Sequence, residues 1–383
     1  MRPGQHRVLQ GHPWVFHGEF RDLPADLAPG EIVEVADARG RLVGSGYLNP
    51  ESSILVRILT RGERHPDPEW ATAKLHAAIT RRRQEMPDVT DLRLVHAEAD
   101  GLPGFVLERM GGYAIVSPDT LGAQEVLLPW LLDEIRALGP EGVVLRAVSP
   151  SRQHEGLGLE LRMLAGDPPR GPVEVHEEGV TYLVDLLSGQ KTGHYFDQRR
   201  NRSRVGALSS GRRVLDVFSY TGGFALHAAR GGASSVTAID SSSDAVTALR
   251  RNAERNGVVI EAREENAFDA LRTLSQARER FDLVVLDPPP FARGRAHLPA
   301  ALRAYKEINL RAMRLLPPGG ILSTASCSHA VSVEDFLGAV RAAAADAGFT
   351  GRVLGIHGAD SDHPVRIEIP ETDYLHCIEL VKE

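Results

Sequence analysis

Two chemically capable residues stand at the ends of strand-like runs. Cys327 follows Ser323-Thr324-Ala325-Ser326, and Asp287 opens Asp287-Pro288-Pro289-Pro290-Phe291 after the apolar run 281–286. A cysteine thiolate is a strong nucleophile available near neutral pH. C5 of a cytosine ring is a poor nucleophile by itself. Attack of a thiolate on C6 makes C5 an enamine-like carbanion that can take a methyl group, and loss of the C5 proton and of the thiol restores the ring. The prolines after Asp287 turn the chain from the sheet and fix the carboxylate at its rim. There it could bond the Watson–Crick edge of a base, including a protonated cytosine N3. The bland alternatives are a buried filler cysteine and a polyproline turn; placing both residues at one sheet edge favours chemistry. Cys377, within the terminal strand-like run 376–381, reads as core packing, and His329 as no more than a proton relay.

A second group of residues suits a cofactor. The strand-like Arg213-Val214-Leu215-Asp216-Val217 runs into Phe218-Ser219-Tyr220-Thr221-Gly222-Gly223-Phe224. Phe218, Tyr220 and Gly222 lie in this turn, where glycine lets the backbone approach a ligand at a helix start. The spacing lacks the G-x-G-x-x-G dinucleotide fingerprint. Asp240 closes the next strand, where a carboxylate can accept ribose hydroxyls, and Asn266 follows the third, near an adenine. Acids on the first two strands with glycines between suit S-adenosylmethionine better than NAD. Its ammonium calls for a carboxylate, and it has no pyrophosphate to cradle. Upstream, residues 191–213 hold seven Arg or Lys and one Asp. This stretch could close over the cofactor, with Gln198 and Asp287 joining the cofactor set. It could also face RNA phosphate through Lys191, Arg199, Arg200 and Arg202.

These residues need a sheet to hold them. From about residue 213 strands and helices alternate: strand 213–217, helix 222–230, strand 235–239, helix 243–256, strand 258–262, strand 281–286, helix 298–315, strand 320–325, helix 332–347 and strand 376–381. That rhythm predicts a mostly parallel α/β sheet covered on both faces, with ligands at the carboxyl ends of its strands. Residues 1–70 read as short strands of a barrel-like β module. Residues 71–172 read as an α+β domain with a helix at its start and another over 124–138, and 166–172 as a linker. With 383 residues, 42% hydrophobic and 25% charged, the chain suits two or three domains with real cores. It has no uncharged apolar run of membrane-spanning length. Two cysteines support neither a disulfide framework nor a four-thiolate zinc site. No metal and no membrane partner are therefore expected, and a cytoplasmic location is. The net charge of −7 does not exclude nucleic acid, which needs only a local basic face. The 40 Arg against 4 Lys follow most simply from genome composition.

In order along the chain, Gly11-His12-Pro13-Trp14-Val15-Phe16, Gly189-Gln190-Lys191-Thr192-Gly193 with Asp197-Gln198-Arg199, the Phe218–Phe224 turn, Asp287-Pro288-Pro289 with Phe291, Ser326-Cys327-Ser328, and Asp360 with His363-Pro364 resemble the motifs of the bacterial 23S ribosomal RNA cytosine-C5 methyltransferases. The resemblance covers nearly the whole chain. It implies an N-terminal PUA domain that binds RNA, a small α+β central domain and a Rossmann-like class I methyltransferase domain over 173–383. It also implies S-adenosylmethionine as cofactor, 23S rRNA as substrate, and a homodimer, since the family's enzymes are often dimers. By the same resemblance Cys327 is the nucleophile, Asp287 helps bind the flipped cytosine, and Asp216, Asp240 and Asn266 line the cofactor site. Two positions depart from the family pattern: Pro290 where Lys is frequent, and Asn266 where Asp is common. The rival readings are a methyltransferase for an exocyclic amine, which would not need Cys327, and a non-catalytic RNA-binding or ribosome-assembly module.

Overall fold

The computed structural model describes residues 1, 6–20, 27–187, 193–292 and 294–383, which cluster into two compact units. The first holds residues 1–175, 184–196 and 361–372. After a single turn, α1 (His6–Leu9), it begins with β1 (Trp14–Phe16), β2 (Ile32–Ala36), β3 (Leu42–Leu48) and β4 (Ile54–Arg61). These form an antiparallel sheet in the order β1-β4-β3-β2. Next comes α2 (Pro68–Glu85), capped by the Asp67 carboxylate on the Trp70 amide with Pro68 in the first turn. Then follow β5 (Leu92–His96), β6 (Phe105–Met110), β7 (Tyr113–Pro118), α3 (Leu128–Ala137), β8 (Gly142–Ala147) and β9 (Glu160–Gly166). The helix expected over 124–138 opens instead with a π-turn, Ala123–Leu127, before α3.

The second sheet runs β5-β6-β7-β8-β9 and is antiparallel except at β7–β8. That one parallel pair needs a crossover, and α3 supplies it. Alternate residues of these strands, such as Phe105 and Leu107, Ala114 and Val116, and Val143 and Leu145, share a core with Leu75 and Ile79 of α2 and Leu131 and Ile135 of α3. The two-residue strand period thus turns one sheet face to the helices.

The other unit holds residues 176–183, 197–360 and 373–383. A hairpin of β10 (Val173–Glu177) and β11 (Val180–Val184) precedes α4 (Arg199–Leu208). The alternating part follows: β12 (Arg213–Val217), α5 (Gly223–Arg230), β13 (Ser235–Asp240), α6 (Ser243–Arg255), β14 (Glu261–Glu264), α7 (Ala267–Gln276), β15 (Leu283–Leu286), α8 (Leu298–Leu315), β16 (Ile321–Ser326), α9 (Val333–Ala347), β17 (Gly351–His357) and β18 (His376–Lys382). The sheet order is β14-β13-β12-β15-β16-β18-β17. The five strands from β14 to β16 are parallel, whereas β18 is antiparallel to both of its neighbours.

Both faces of this sheet are apolar, as a parallel sheet requires. Leu215, Val217 and Leu286 pack against α7, α8 and α9 on one side. Val214, Val236 and Val285 pack against Val205 of α4, Phe224 and Ala228 of α5 and Leu249 of α6 on the other. The expected strands and helices of this half recur within a few residues of their predicted ends. Sequence rhythm missed α7, whose start is set by the Asn266 side chain, and β17, whose residues are mostly exposed on the sheet edge. Among the described residues no helix is long and apolar enough to cross a membrane.

Candidate active site

Four adjacent strands, in the order β13-β12-β15-β16, bring the predicted residues to one edge. Asp240 ends β13, Asp216 lies one residue before the end of β12, Asp287 follows β15, and Cys327 follows β16. Register explains the convergence: Val217 pairs with Ile239 and with Leu286, and Leu286 with Thr324. In a parallel sheet every C-terminal end faces the same way, so residues far apart in sequence meet there.

The turn after β12 is strained. Phe218 and Tyr220 take positive φ values of 66° and 50°, and Gly222 sits at 93°. Strain of this kind at non-glycine residues is retained where surrounding structure over-determines it. Here the Asp240 carboxylate accepts from the Tyr220 amide at 2.8 Å and from the Ser242 amide at 2.9 Å, while the Ser219 amide bonds the Ile239 carbonyl at 3.0 Å. A Cβ on Gly222 would also lie 2.8 Å from Leu249, so both backbone and space call for glycine.

Asp216 is fully buried. Its Oδ2 accepts from the Ala225 amide at 2.9 Å, and its Oδ1 has no hydrogen-bond partner among the described residues. Burial, reinforced by the charge of Asp287, pushes its pKa up to about 8. A cationic ligand group at Oδ1 would remove that cost. Asn266 is exposed, and its Oδ1 caps α7 by accepting from the Phe268 and Asp269 amides.

Asp287 is also pushed up, to about 7, by burial and then by the neighbouring charge of Asp197. Gln198, expected on the cofactor, instead donates from Nε2 to Asp287 Oδ1 at 2.8 Å, and its Oε1 accepts from Asn201 Nδ2 at 2.7 Å. Both ends of its amide are thus engaged by protein, and it orients Asp287. Cys327 Sγ lies 3.7 Å from the Pro288 carbonyl, the residue after Asp287. Burial, followed by the charges of Asp287 and Asp197, pushes the thiol pKa well above its ordinary value. The expected thiolate thus meets an opposing environment, since the two carboxylates disfavour a further negative charge on this half-buried sulfur.

Three further residues shape the site. Asp197 loads the charge around Asp287 and is held by the Tyr374 hydroxyl at 2.8 Å. Tyr305 of α8 is buried; its hydroxyl accepts from Ser326 Oγ at 2.9 Å and lies 3.1 Å from Ser328 Oγ, so it grips the chain on both sides of Cys327. Phe291 stacks 4.8 Å from Tyr305 and 6.3 Å from Phe218, linking the Asp287 loop to the turn after β12. The sequence pointed to Phe291, in the motif with Asp287, and to Asp197, beside Gln198, but not to Tyr305.

The expected phosphate contacts divide. Arg199 is buried and bonds Asp360 at 2.9 Å; Arg202 is buried and gives Glu177 contacts of 2.9 and 3.0 Å. A guanidinium held this way cannot present its fork to a phosphate in solvent, so both are structural. Arg200 remains exposed, with Nε 3.3 Å from Asp360. Lys191 lies outside the described residues. Cys377 is buried in β18, 3.5 Å from Ser323 Oγ, as core packing requires.

This geometry can be set beside known proteins. A family model described as S-adenosylmethionine-dependent methyltransferase matches residues 159–354, and one for a PUA-like domain matches residues 2–61. The chain is 36% identical over 375 residues to the Ribosomal RNA large subunit methyltransferase I of Aeromonas salmonicida, covering 96% of this chain and 94% of that one. It is 35% identical to the protein of the same name from Cronobacter sakazakii, with the same coverage. The chain belongs to this methyltransferase family. The enzyme therefore uses S-adenosylmethionine. Its fold is shared with an S-adenosylmethionine-dependent methyltransferase from Streptococcus mutans, at TM-score 0.82 and 18% identity over 100% of this chain and 99% of that one. A methyltransferase complexed with SAH superposes with TM-score 0.82 at 19% identity, covering 99% and 97% of the two chains. The residues fit such a cofactor: the unpartnered Asp216 oxygen suits its ammonium, and the Asp240 carboxylate has lone pairs left beyond its two amide bonds.

Proposed function

We propose that this methyltransferase acts on C5 of a cytosine in 23S ribosomal RNA, through a covalent bond between Cys327 and C6. The large-subunit rRNA substrate is carried over from the relatives' name, and the cytosine from the pairing of Cys327 with a proton-holding Asp287. The observation that carries the reading is their convergence: Cys327 Sγ lies against the Pro288 carbonyl at 3.7 Å, one residue from a carboxyl raised to about 7. On this reading residues 1–70 form an RNA-binding module, 71–172 a central module and 173–383 the catalytic one, working in the cytoplasm where ribosomes are built. Asp216 and Asp240 hold the cofactor's ammonium and ribose, with Phe218, Tyr220 and Gly222 shaping the turn between them. S-adenosylmethionine, when bound, supplies an electrophilic methyl group.

Asp287 near pH 7 is partly protonated, so it can give its proton to N3 of an extruded cytosine. The Cys327 thiol gives its proton to solvent water, Sγ bonds C6, and the C5–C6 π pair moves to C5, the atom that takes the methyl group. Solvent water then takes the C5 proton, the pair re-forms C5–C6, and the Sγ–C6 bond breaks with its electron pair going to sulfur, which regains a proton from solvent. N3 returns its proton to Asp287. The protonated N3 facing the Asp287 carboxylate offsets one of the charges that keep the Cys327 thiol protonated. Tyr305, through Ser326 and Ser328, keeps Sγ on line.

The test is methyl transfer to unmodified 23S rRNA with nucleoside mass spectrometry, for wild type and Cys327→Ala. The expected product is 5-methylcytosine, with a loss of at least about 10⁴-fold in the variant and unchanged cofactor affinity. Label on an exocyclic amine, with Cys327→Ala still active, would overturn the reading in favour of an amine methyltransferase.

A further inference from the structure

The first unit contains a cavity of about 220 Å³. Its walls come from β4 through Arg61, from α2 through Lys74 and Arg81, from the turn holding Glu98, Asp100 and Gly101, and from the segment with Arg366 and Glu368. At about 30 Å³ per water, the space admits an oxyanion with several waters.

Its charges do not cancel. Glu98 accepts from the Trp14 indole at 2.9 Å and the Gly104 amide at 3.3 Å. Asp100 is gripped by both Arg81 and Arg82, two cations on one carboxylate. Glu368 is held by Arg366 through a 2.9 Å bond. Arg61 spends both terminal nitrogens on the carbonyls of Val8 and His12, at 2.7 and 2.8 Å, and so brings a positive charge with no carboxylate attached among the described residues. Lys74, half-buried, forms no ion pair with a carboxylate among the described residues. Its ammonium rests close to Gly101: a Cβ there would lie 3.3 Å from Nζ, and φ of +75° excludes most other residues. Burial and the nearby Arg366 and Arg64 lower the Lys74 pKa, the effect of a site that is short of negative charge.

We propose that this cavity binds a phosphate oxyanion, supplied by the backbone of the RNA substrate, with Lys74 as the direct donor and Arg61 as the supporting charge. The choice of RNA as source rests on the function proposed above. The neighbouring cations on Asp100 keep the cavity positive, and the carboxylates in its wall are already bonded, so an entering phosphodiester meets donors and a net attractive field. A phosphate contact of this type fixes the position of the RNA without reading its sequence.

Lys74 is the cleaner probe, because Arg61 also ties down the chain near residue 8. The full-length protein is titrated with a 23S rRNA transcript over a salt series, as wild type, Lys74→Met and Lys74→Arg. Lys74→Met is expected to weaken RNA binding about 5-fold at moderate salt and to lower the slope of log affinity against log salt by about 1, with Lys74→Arg restoring both. S-adenosylmethionine affinity stays unchanged in all three. Equal affinity and slope in wild type and Lys74→Met would overturn the proposal. Inorganic phosphate is the second probe. If it raises the Tm of wild type but not of Lys74→Met while RNA binding is unaffected, the cavity holds a free phosphate and the RNA assignment falls. A Lys74-dependent salt slope in a protein that makes no 5-methylcytosine would sink the proposed reaction and leave the cavity's role standing.

Discussion

Two buried acids in the seven-stranded unit face opposite conditions. Glu177, at the end of β10, receives Arg202 at 2.9 and 3.0 Å, with His227 3.2 Å away. Asp216, one residue before the end of β12, receives one backbone amide and leaves its other oxygen without a partner among the described residues. Both are buried and both sit close to α5, yet only one has its charge answered. The pair around Glu177 ties the hairpin to α4, and the guanidinium's own pKa is raised by that carboxylate's proximity despite the burial that opposes it. Asp216 is pushed up to about 8 instead. A buried acid whose cation comes from the chain is a brace. A buried acid whose cation must come from outside is a binding group. Asp287, though only half-buried, resembles Asp216 in this: its hydrogen bond comes from neutral Gln198, which orients the carboxyl without cancelling its charge.

The sharpest way to break this division is to neutralise a member of each class. Asp287→Asn is expected to lower kcat by roughly 10²–10⁴-fold, because an amide can hydrogen-bond N3 but cannot give it a proton. In wild type the protonated form of Asp287 is lost as pH rises through about 7, so its contribution to kcat declines there; the variant's profile should lack that decline. A variant with wild-type kcat and the same pH profile would remove Asp287 from the proton path. Glu177→Gln removes the carboxylate that faces buried Arg202, and breaking a buried pair in this way costs about 3–5 kcal/mol. Denaturant unfolding should show that loss, while kcat per folded molecule remains within twofold. A catalytic defect without a stability defect would reverse the assignment.

What could be read from sequence follows from how each feature is encoded. The alternating half of the fold was legible because short, largely apolar strands such as 283–286 alternate with helical stretches, and the chain marks the ends of four of them with Asp216, Asp240, Asp287 and Cys327. Parallel register then carries all four to one edge. The edge strand β17 was not legible, because Val353, Leu354 and Ile356 are exposed there and no alternation marks a buried face. Nor could sequence separate the arginines around residue 200. Arg199, Arg200 and Arg202 look alike in a basic run. Their difference lies in Asp360 and Glu177, which reach them from 161 and 25 residues away. Tyr305 escaped for the same reason: its partners lie 21 and 23 residues along, on another element. Local pattern reports what a strand or helix is; it does not report which distant group answers a charge.

Asp216→Asn tests the comparison where function and stability pull against each other. The unfolded carboxyl titrates near 3.8 and the folded one at about 8, so between these values the native state keeps a proton that the unfolded chain has lost. Forcing Asp216 to ionise in its buried place therefore opposes folding increasingly as pH rises. Asparagine carries no such charge. Without cofactor, the Tm of Asp216→Asn relative to wild type should rise from its pH 4 baseline through the neutral range and level off above pH 8. Cofactor should invert the order. The ammonium gives wild-type Asp216 its missing partner, releases a proton on binding near neutral pH, and stabilises the fold by mass action. The variant loses a charge-assisted contact worth about 1.5–3 kcal/mol, so its S-adenosylmethionine affinity should fall about 10- to 100-fold. Calorimetry in buffers of different ionisation enthalpy reads the proton release directly. A Tm difference that is flat with pH, together with unaltered cofactor affinity, would show that Asp216 is a brace like Glu177, and that the unpartnered oxygen has no part in holding the cofactor.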